Sequence, residues 1–280
     1  MRLILLTALA MVAFAANSVL ARLAFATGDA EAMSYTGIRL AAGAVTLALL
    51  LLVRREPLRL AGSWAGAAAL FGYAILFSVA YVLLGAGTGA LILFASVQIG
   101  ILGWAVYRGD RPGLLEWLGL AIAFAALIYL VSPGLVAPHP LGALLMVISG
   151  LCWAAYTLIG RGSSAPLADT AGNFIRCLPV ALVLLLAGAT MHGVAPLAAL
   201  YAIASGALAS GVGYAIWYSV LPRLTRTRAA IVQLTVPAIA ATGGVLLIDE
   251  WLTPRLIIAS IGIIGGVAFA LVTAGRRSSR

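Results

Sequence analysis

Gly72-Tyr73-Ala74-Ile75-Leu76-Phe77-Ser78-Val79 returns 141 residues later as Gly213-Tyr214-Ala215-Ile216-Trp217-Tyr218-Ser219-Val220. Six of eight positions are identical, and both differences fall on one dipeptide. In so apolar a chain a short match carries weight only if other residues repeat at a similar spacing. They do. Phe14, Asn17 and Arg22 correspond to Trp153, Tyr156 and Arg161 at an offset of 139. Ile38-Arg39 corresponds to Ile175-Arg176 at 137, and Gly103 and Asp110 to Gly243 and Glu250 at 140. The correspondences run in order through both halves, so the sequence reads as a tandem duplication of residues 1–137 and 138–280.

Composition sets the class. Apolar residues make up 64% of the 280-residue chain and charged residues 9%, against roughly 25% charged in a soluble domain. Apolar runs recur at about the 20-residue length that crosses a bilayer core as a helix. Ten such helices are expected, at 3–26, 32–53, 63–84, 89–107, 114–131, 141–160, 170–189, 196–220, 229–248 and 256–274. The links are too short for a soluble domain. The expected fold is an all-α, polytopic membrane protein.

Charge placement orients it. All seventeen basic residues are arginines, so the net charge of +9 says little about nucleic acid, and none is expected as a partner. Arg54, Arg55, Arg59, Arg108, Arg111, Arg161, Arg223, Arg226 and Arg228 follow even-numbered helices, while Arg2, Arg276, Arg277 and Arg280 lie at the termini. The opposite links carry Asp29, Glu31, Asp249 and Glu250, with Arg255 as the exception. An arginine excess marks the cytoplasmic side, which places both termini there. Five helices per repeat is an odd number, so two repeats in series insert in opposite senses. Inverted repeats with a midplane site between them are characteristic of secondary transporters.

The first apolar run ends at Ala24-Phe25-Ala26 and has the form of a cleavable secretory signal. Its counterpart in the second repeat argues for a first transmembrane helix instead. Cys152 and Cys177 both fall within expected helices and are read as free, packed thiols. All eight acids lie in or near the links, as do His139 and His192. A nucleophile and base in mutual reach, which intramembrane enzyme chemistry needs, cannot be assembled at depth. No catalytic residue, metal or cofactor is expected.

A transport pathway needs polar or aromatic side chains on inward helix faces. Tyr73, Phe77 and Tyr81 share one face of helix three at i, i+4 and i+8. Helix eight answers with Ser210, Tyr214 and Tyr218, with Trp217 alongside. Helix six offers Ser149, Trp153 and Tyr156, and helix one Phe14 and Asn17. Helix four places Phe94 and Gln98 on one face, and helix nine carries Gln233 and Thr235 before Pro237. Packing, or an interfacial aromatic belt, is the plain alternative for the rings, and interhelical glue for Asn17, Gln98 and Gln233. Arg39 and Arg176 lie inside helices two and seven. Either they snorkel to the interface or they bind a carboxylate. Gly85–Gly89 and Gly262–Gly266 read as close helix contacts, and Pro179 and Pro237 as possible helix breaks.

The five-plus-five plan, Cys152-Trp153-Ala154-Ala155-Tyr156 and Asp249-Glu250-Trp251-Leu252-Thr253-Pro254 together resemble the EamA branch of the drug/metabolite transporter superfamily. Phe14-Ala15-Ala16-Asn17 keeps that family's Asn and lacks the Trp-Gly pair common before it. Length and aromatic content are most like the YddG-type exporters of aromatic amino acids. The resemblance implies export of amino acids or similar small metabolites across a bacterial inner membrane, with a small-molecule substrate and the lipid bilayer as partners. A monomer is compatible with the sequence. Nucleosides, drugs or organic cations, and sugar phosphates are the alternative substrates. The last of these would require clustered basic residues at the cavity centre.

Overall fold

The computed structural model describes residues 2–26, 30–55, 61–109, 113–132, 137–161, 163–192, 195–224 and 232–278. Asp29, Asp110 and residues 229–231 therefore lie outside the described residues. The regular elements among those described are helical: α1 (Arg2–Ala26), α2 (Ala32–Val53), α3 (Trp64–Leu83), α4 (Ala86–Tyr107), α5 (Leu114–Val131), α6 (Pro140–Ile159), α7 (Pro166–His192), α8 (Pro196–Val220), α9 (Val236–Ile248) and α10 (Pro254–Ser278). Eight of these are long and apolar enough to cross a membrane. The apolar stretch of α5 and the described part of α9 are shorter.

Local sequence explains where helices begin. The Glu31 carboxylate accepts from Ser34 N at 3.0 Å and caps α2, and Ser63 Oγ accepts from Gly66 N at 2.9 Å and caps α3. Each satisfies an N–H that a helix start leaves without an intrahelical partner. Pro140 and Pro196 occupy first-turn positions of α6 and α8, where a missing N–H costs nothing. The two internal prolines behave differently. α7 runs on through Pro179, as packed membrane helices permit. The expected continuous ninth helix is instead interrupted, with residues 232–233 helical, a turn at 234–235, and regular helix only from Val236. Pro237 has no N–H to give, and its ring clashes with the carbonyl four residues back.

α8 contains a segment that sequence periodicity did not indicate. From Ser205 to Val212 it widens into π-turns, a feature frequent at functional sites. The segment, SGALASGV, has small residues where it meets α2: a Cβ on Gly206 would collide with the Arg39 carbonyl, and one on Gly211 would lie 2.9 Å from Thr46.

The helices pair as α2 with α7, α5 with α10, α3 and α4 with α6, α1 with α8 and α9, and α4 with α9. α5 and α10 meet where a Cβ on Gly119 would lie 2.6 Å from the Gly266 carbonyl, and the reverse holds at the same distance. Gly87 packs on Ala241, Gly89 on the Tyr81 ring and Gly262 on Ala126. The glycine-rich stretches are close helix contacts, as expected. Outward faces carry exposed Leu182, Val183, Leu186, Leu246, Leu247, Ile258 and Ile261, an apolar surface suited to lipid and costly in water. Cys152 and Cys177 are free thiols.

Arg255, the exception in the charge pattern, has a local task. Its guanidinium donates to the carbonyls of Tyr129 and Ser132 and to Ser132 Oγ. It thus satisfies the last carbonyls of α5 and complements that helix's negative end.

Candidate substrate site

Aromatic side chains from α1, α3, α6 and α8 converge inside the bundle. Tyr73 packs on Phe77 with centroids 5.4 Å apart and on Trp153 at 4.8 Å. Trp153 continues to Tyr156 at 5.4 Å and Tyr214 at 5.3 Å. Phe14 sets its ring edge-on to Tyr214 and Trp217, each at 5.8 Å, and Phe77 meets Tyr81 at 4.6 Å. Trp64, Trp104, Trp117 and Trp251 are exposed near helix ends instead, where an aromatic belt belongs. The six tryptophans therefore divide into belt and interior.

Within this cluster lies a narrow cavity of about 20 Å³ lined by Phe14, Asn17, Ser18, Tyr73, Phe77, Leu93, Phe94, Trp153 and Tyr214. That volume accommodates about one water and no amino acid. Of the expected site residues, Asn17, Tyr73, Phe77, Phe94, Trp153 and Tyr214 line it. Tyr81, Tyr156 and Trp217 stand one ring behind. Gln98 is buried on α4, Tyr218 is half-buried on α8 and Gln233 half-buried before α9, all three outside the lining. Thr235 is exposed and returns its hydroxyl to the Val232 carbonyl at 2.6 Å. Ser149 donates to the Tyr73 carbonyl at 3.0 Å and ties α6 to α3.

The polar edge of the cavity is built on the π-segment. Asn17 Oδ1 accepts from Ser205 Oγ at 2.7 Å and from Ser210 Oγ at 3.3 Å. All three residues are buried, so each bond replaces water that the site cannot supply. Ser205 was not visible as a candidate in sequence, because it stands in no repeated motif.

Arg39 departs from the snorkelling expectation. It is 2% exposed, donates from Nη2 to Tyr73 Oη at 3.0 Å, and lies 5.2 Å and 4.7 Å from the Tyr73 and Phe77 ring centroids. No carboxylate of a described residue is within ion-pair distance of it. A buried unpaired cation costs several kcal/mol. Each ring face returns about 0.5–2 kcal/mol and a neutral hydrogen bond about 1 kcal/mol. Compensation is partial. Its repeat counterpart Arg176 is half-buried and donates from Nη1 to the carbonyls of Ala61 and Gly172, pinning α7 to the start of α3.

At the end of the bundle holding the α1–α2 and α9–α10 links, Arg22 Nε donates to Glu250 Oε1 at 2.9 Å, and Glu250 Oε2 accepts from Ala86 N at 2.7 Å. This clasp borders a pocket of about 210 Å³ lined by residues that include Arg22, Gly85, Thr88, Glu250 and Trp251.

Comparison with known proteins fits this picture. The uncharacterized protein PA1977 of Pseudomonas aeruginosa is 51% identical over 283 residues, covering 100% of this chain and 98% of its own. The threonine/homoserine exporter RhtA of Escherichia coli is 31% identical over 64% of this chain and 61% of its own. The uncharacterized inner membrane transporter YedA of Escherichia coli is 33% identical over 35% of this chain and 32% of its own. A crystal structure at 21% identity superposes with a TM-score of 0.66 over 96% of this chain and 97% of the other, a likeness of fold alone. The apolar spans and these relatives make the chain a multi-pass protein of the bacterial inner membrane. Residues 140–272 match the EamA-like transporter family.

Proposed function

We propose that this chain exports amino acids with apolar or aromatic side chains, or similar small metabolites, by alternating access between two inverted five-helix halves. The observation that carries the reading is the cavity, whose wall draws rings from α1, α3 and α4 of one half and from α6 and α8 of the other. A site on such a seam opens to either side when one half rocks against the other.

The helix pairing supports the same arrangement. Under the repeat, α3 with α6 is the mate of α8 with α1, and α4 with α6 is the mate of α9 with α1. The pairs α2–α7, α4–α9 and α5–α10 map onto themselves, and all of these pairings occur. Rings suit an apolar or planar side chain, and the hydroxyls gathered by Asn17 suit its polar end. A cavity of water size fits a conformer closed around its site, with the Arg22–Glu250 clasp shutting the end that the charge pattern assigns to the exterior. The likeness to RhtA favours a second reading, export of small polar amino acids such as threonine.

Proteoliposomes loaded with labelled phenylalanine test the proposal. Saturable efflux without product formation is expected, competed by aromatic and large apolar amino acids. Competition by threonine alone would select the second reading, and no saturable efflux of any amino acid would remove both.

A further inference from the structure

Three buried side-chain atoms without a hydrogen-bond partner occur among the described residues: Ser34 Oγ, Tyr35 Oη and Arg39 Nη1. All three belong to one six-residue stretch of α2. Tyr35 and Arg39 are four residues apart and share a helix face. Arg39 donates to the Tyr73 hydroxyl at 3.0 Å and lies 4.7 Å from the ring centroid of Phe77, and both of these rings stand in the cavity wall. The unused hydrogen-bonding capacity of the bundle is therefore concentrated just behind the rings of the candidate site.

Its chemistry is specific. A guanidinium presents donors in a planar fork that matches the two oxygens of a carboxylate. In Arg39 one prong is spent on a neutral phenol and the other has no acceptor. The Tyr73 hydroxyl accepts from Arg39 and retains a proton to give. A carboxylate entering beside Tyr73 would take both prongs, accept from that hydroxyl, and neutralise the buried cation. The second repeat offers no equivalent, because Arg176 is engaged by backbone carbonyls.

We infer that Arg39, with Tyr73, anchors the carboxylate of the exported substrate, so that the transported class requires a free carboxylate and excludes simple amines. This deepens the proposed function and rests on the cavity being the substrate site.

The test is binding to the purified full-length protein, read by intrinsic tryptophan fluorescence because Trp153 packs on Tyr73. The probes are 3-phenylpropionate, which has ring and carboxylate, and 2-phenylethylamine, which has ring and amine. Wild type is expected to bind the acid at least about tenfold more tightly than the amine, as a lost bidentate charge pair implies. Arg39→Met should erase that preference, and Arg39→Lys, keeping charge without the fork, should retain part of it. Equal binding of acid and amine by wild type, no binding of the acid, or unchanged acid affinity in Arg39→Met would each overturn the inference. If Arg39→Met does not fold, the wild-type ratio and Arg39→Lys decide. Acid binding through Arg39 in a protein that moves no amino acid across a vesicle would sustain the anion site and remove the export reading.

Discussion

Arg22 and Glu250, 228 residues apart in sequence, meet at 2.9 Å, and the second oxygen of Glu250 takes the first N–H of α4. One carboxylate thereby fastens α1, α4 and the α9–α10 link at a single end of the bundle. Asp249 makes this possible by adopting a left-handed conformation, φ 55°, that turns the chain after α9 and sends the Glu250 N–H back to the Gly244 carbonyl at 3.1 Å.

Replacing Glu250 by Gln removes the ion pair while leaving an oxygen for Ala86 N–H. On the proposed reading the clasp closes the pathway without carrying coupling protons, so the loss of a charge-assisted bond, worth about 1.5–3 kcal/mol, should loosen the closed end without ending transport. Efflux at matched membrane expression checks this. Abolished flux in a Glu250→Gln protein that reaches the membrane would make Glu250 a coupling site.

Orientation follows from charge. Reporter fusions at Arg55, Arg108, Arg161 and Arg226 are expected on the cytoplasmic side, and fusions at Asp29 and His192 outside. A cytoplasmic reporter signal at His192 would contradict oppositely inserted halves.

Close packing predicts a contrast between neighbouring glycines in α10. Gly266→Ala places a methyl 2.6 Å from the Gly119 carbonyl, whereas a Cβ at Gly265 meets nothing within 4 Å. Gly266→Ala should lower the melting temperature in detergent through an overpacking penalty of about 1–3 kcal/mol, and Gly265→Ala should leave it nearly unchanged. Equal effects of the two would mean that α5 and α10 do not pack as described.

Much of this architecture was legible in residue types. Hydrophobic length placed the helices, and the rings of the GYAI stretches, Tyr73, Phe77 and Tyr214, do line the cavity. Periodicity could not reveal the π-segment of α8, because the small side chains of SGALASGV give no apolar stripe whose spacing would register a wider turn. Nor could it distinguish Arg39 from Arg176. Both sit at corresponding places in the two halves of the sequence, and only the partners brought by folding separate a buried guanidinium among rings from one bound to the backbone carbonyls of Ala61 and Gly172. Gln98, Tyr218 and Gln233 looked equivalent to the lining residues for a similar reason, since a helical face indicates a direction but not what fills the space before it.

The central claim is that the rings converging on the cavity form the substrate site. Trp153 and Tyr214 come from α6 and α8, lie 5.3 Å apart and both face the cavity. An aromatic contact contributes about 0.5–1.5 kcal/mol beyond area burial, so either single alanine variant should weaken half-saturation modestly. Removing both rings should nearly abolish transport. The deciding measurement is efflux of labelled phenylalanine from proteoliposomes by Trp153→Ala, Tyr214→Ala and the double variant at equal protein content, with detergent melting curves to confirm folding. The account predicts a graded loss in the singles and near-complete loss in the folded double variant. Unchanged half-saturation and rate in the double variant would show that these rings only pack and that the site lies elsewhere.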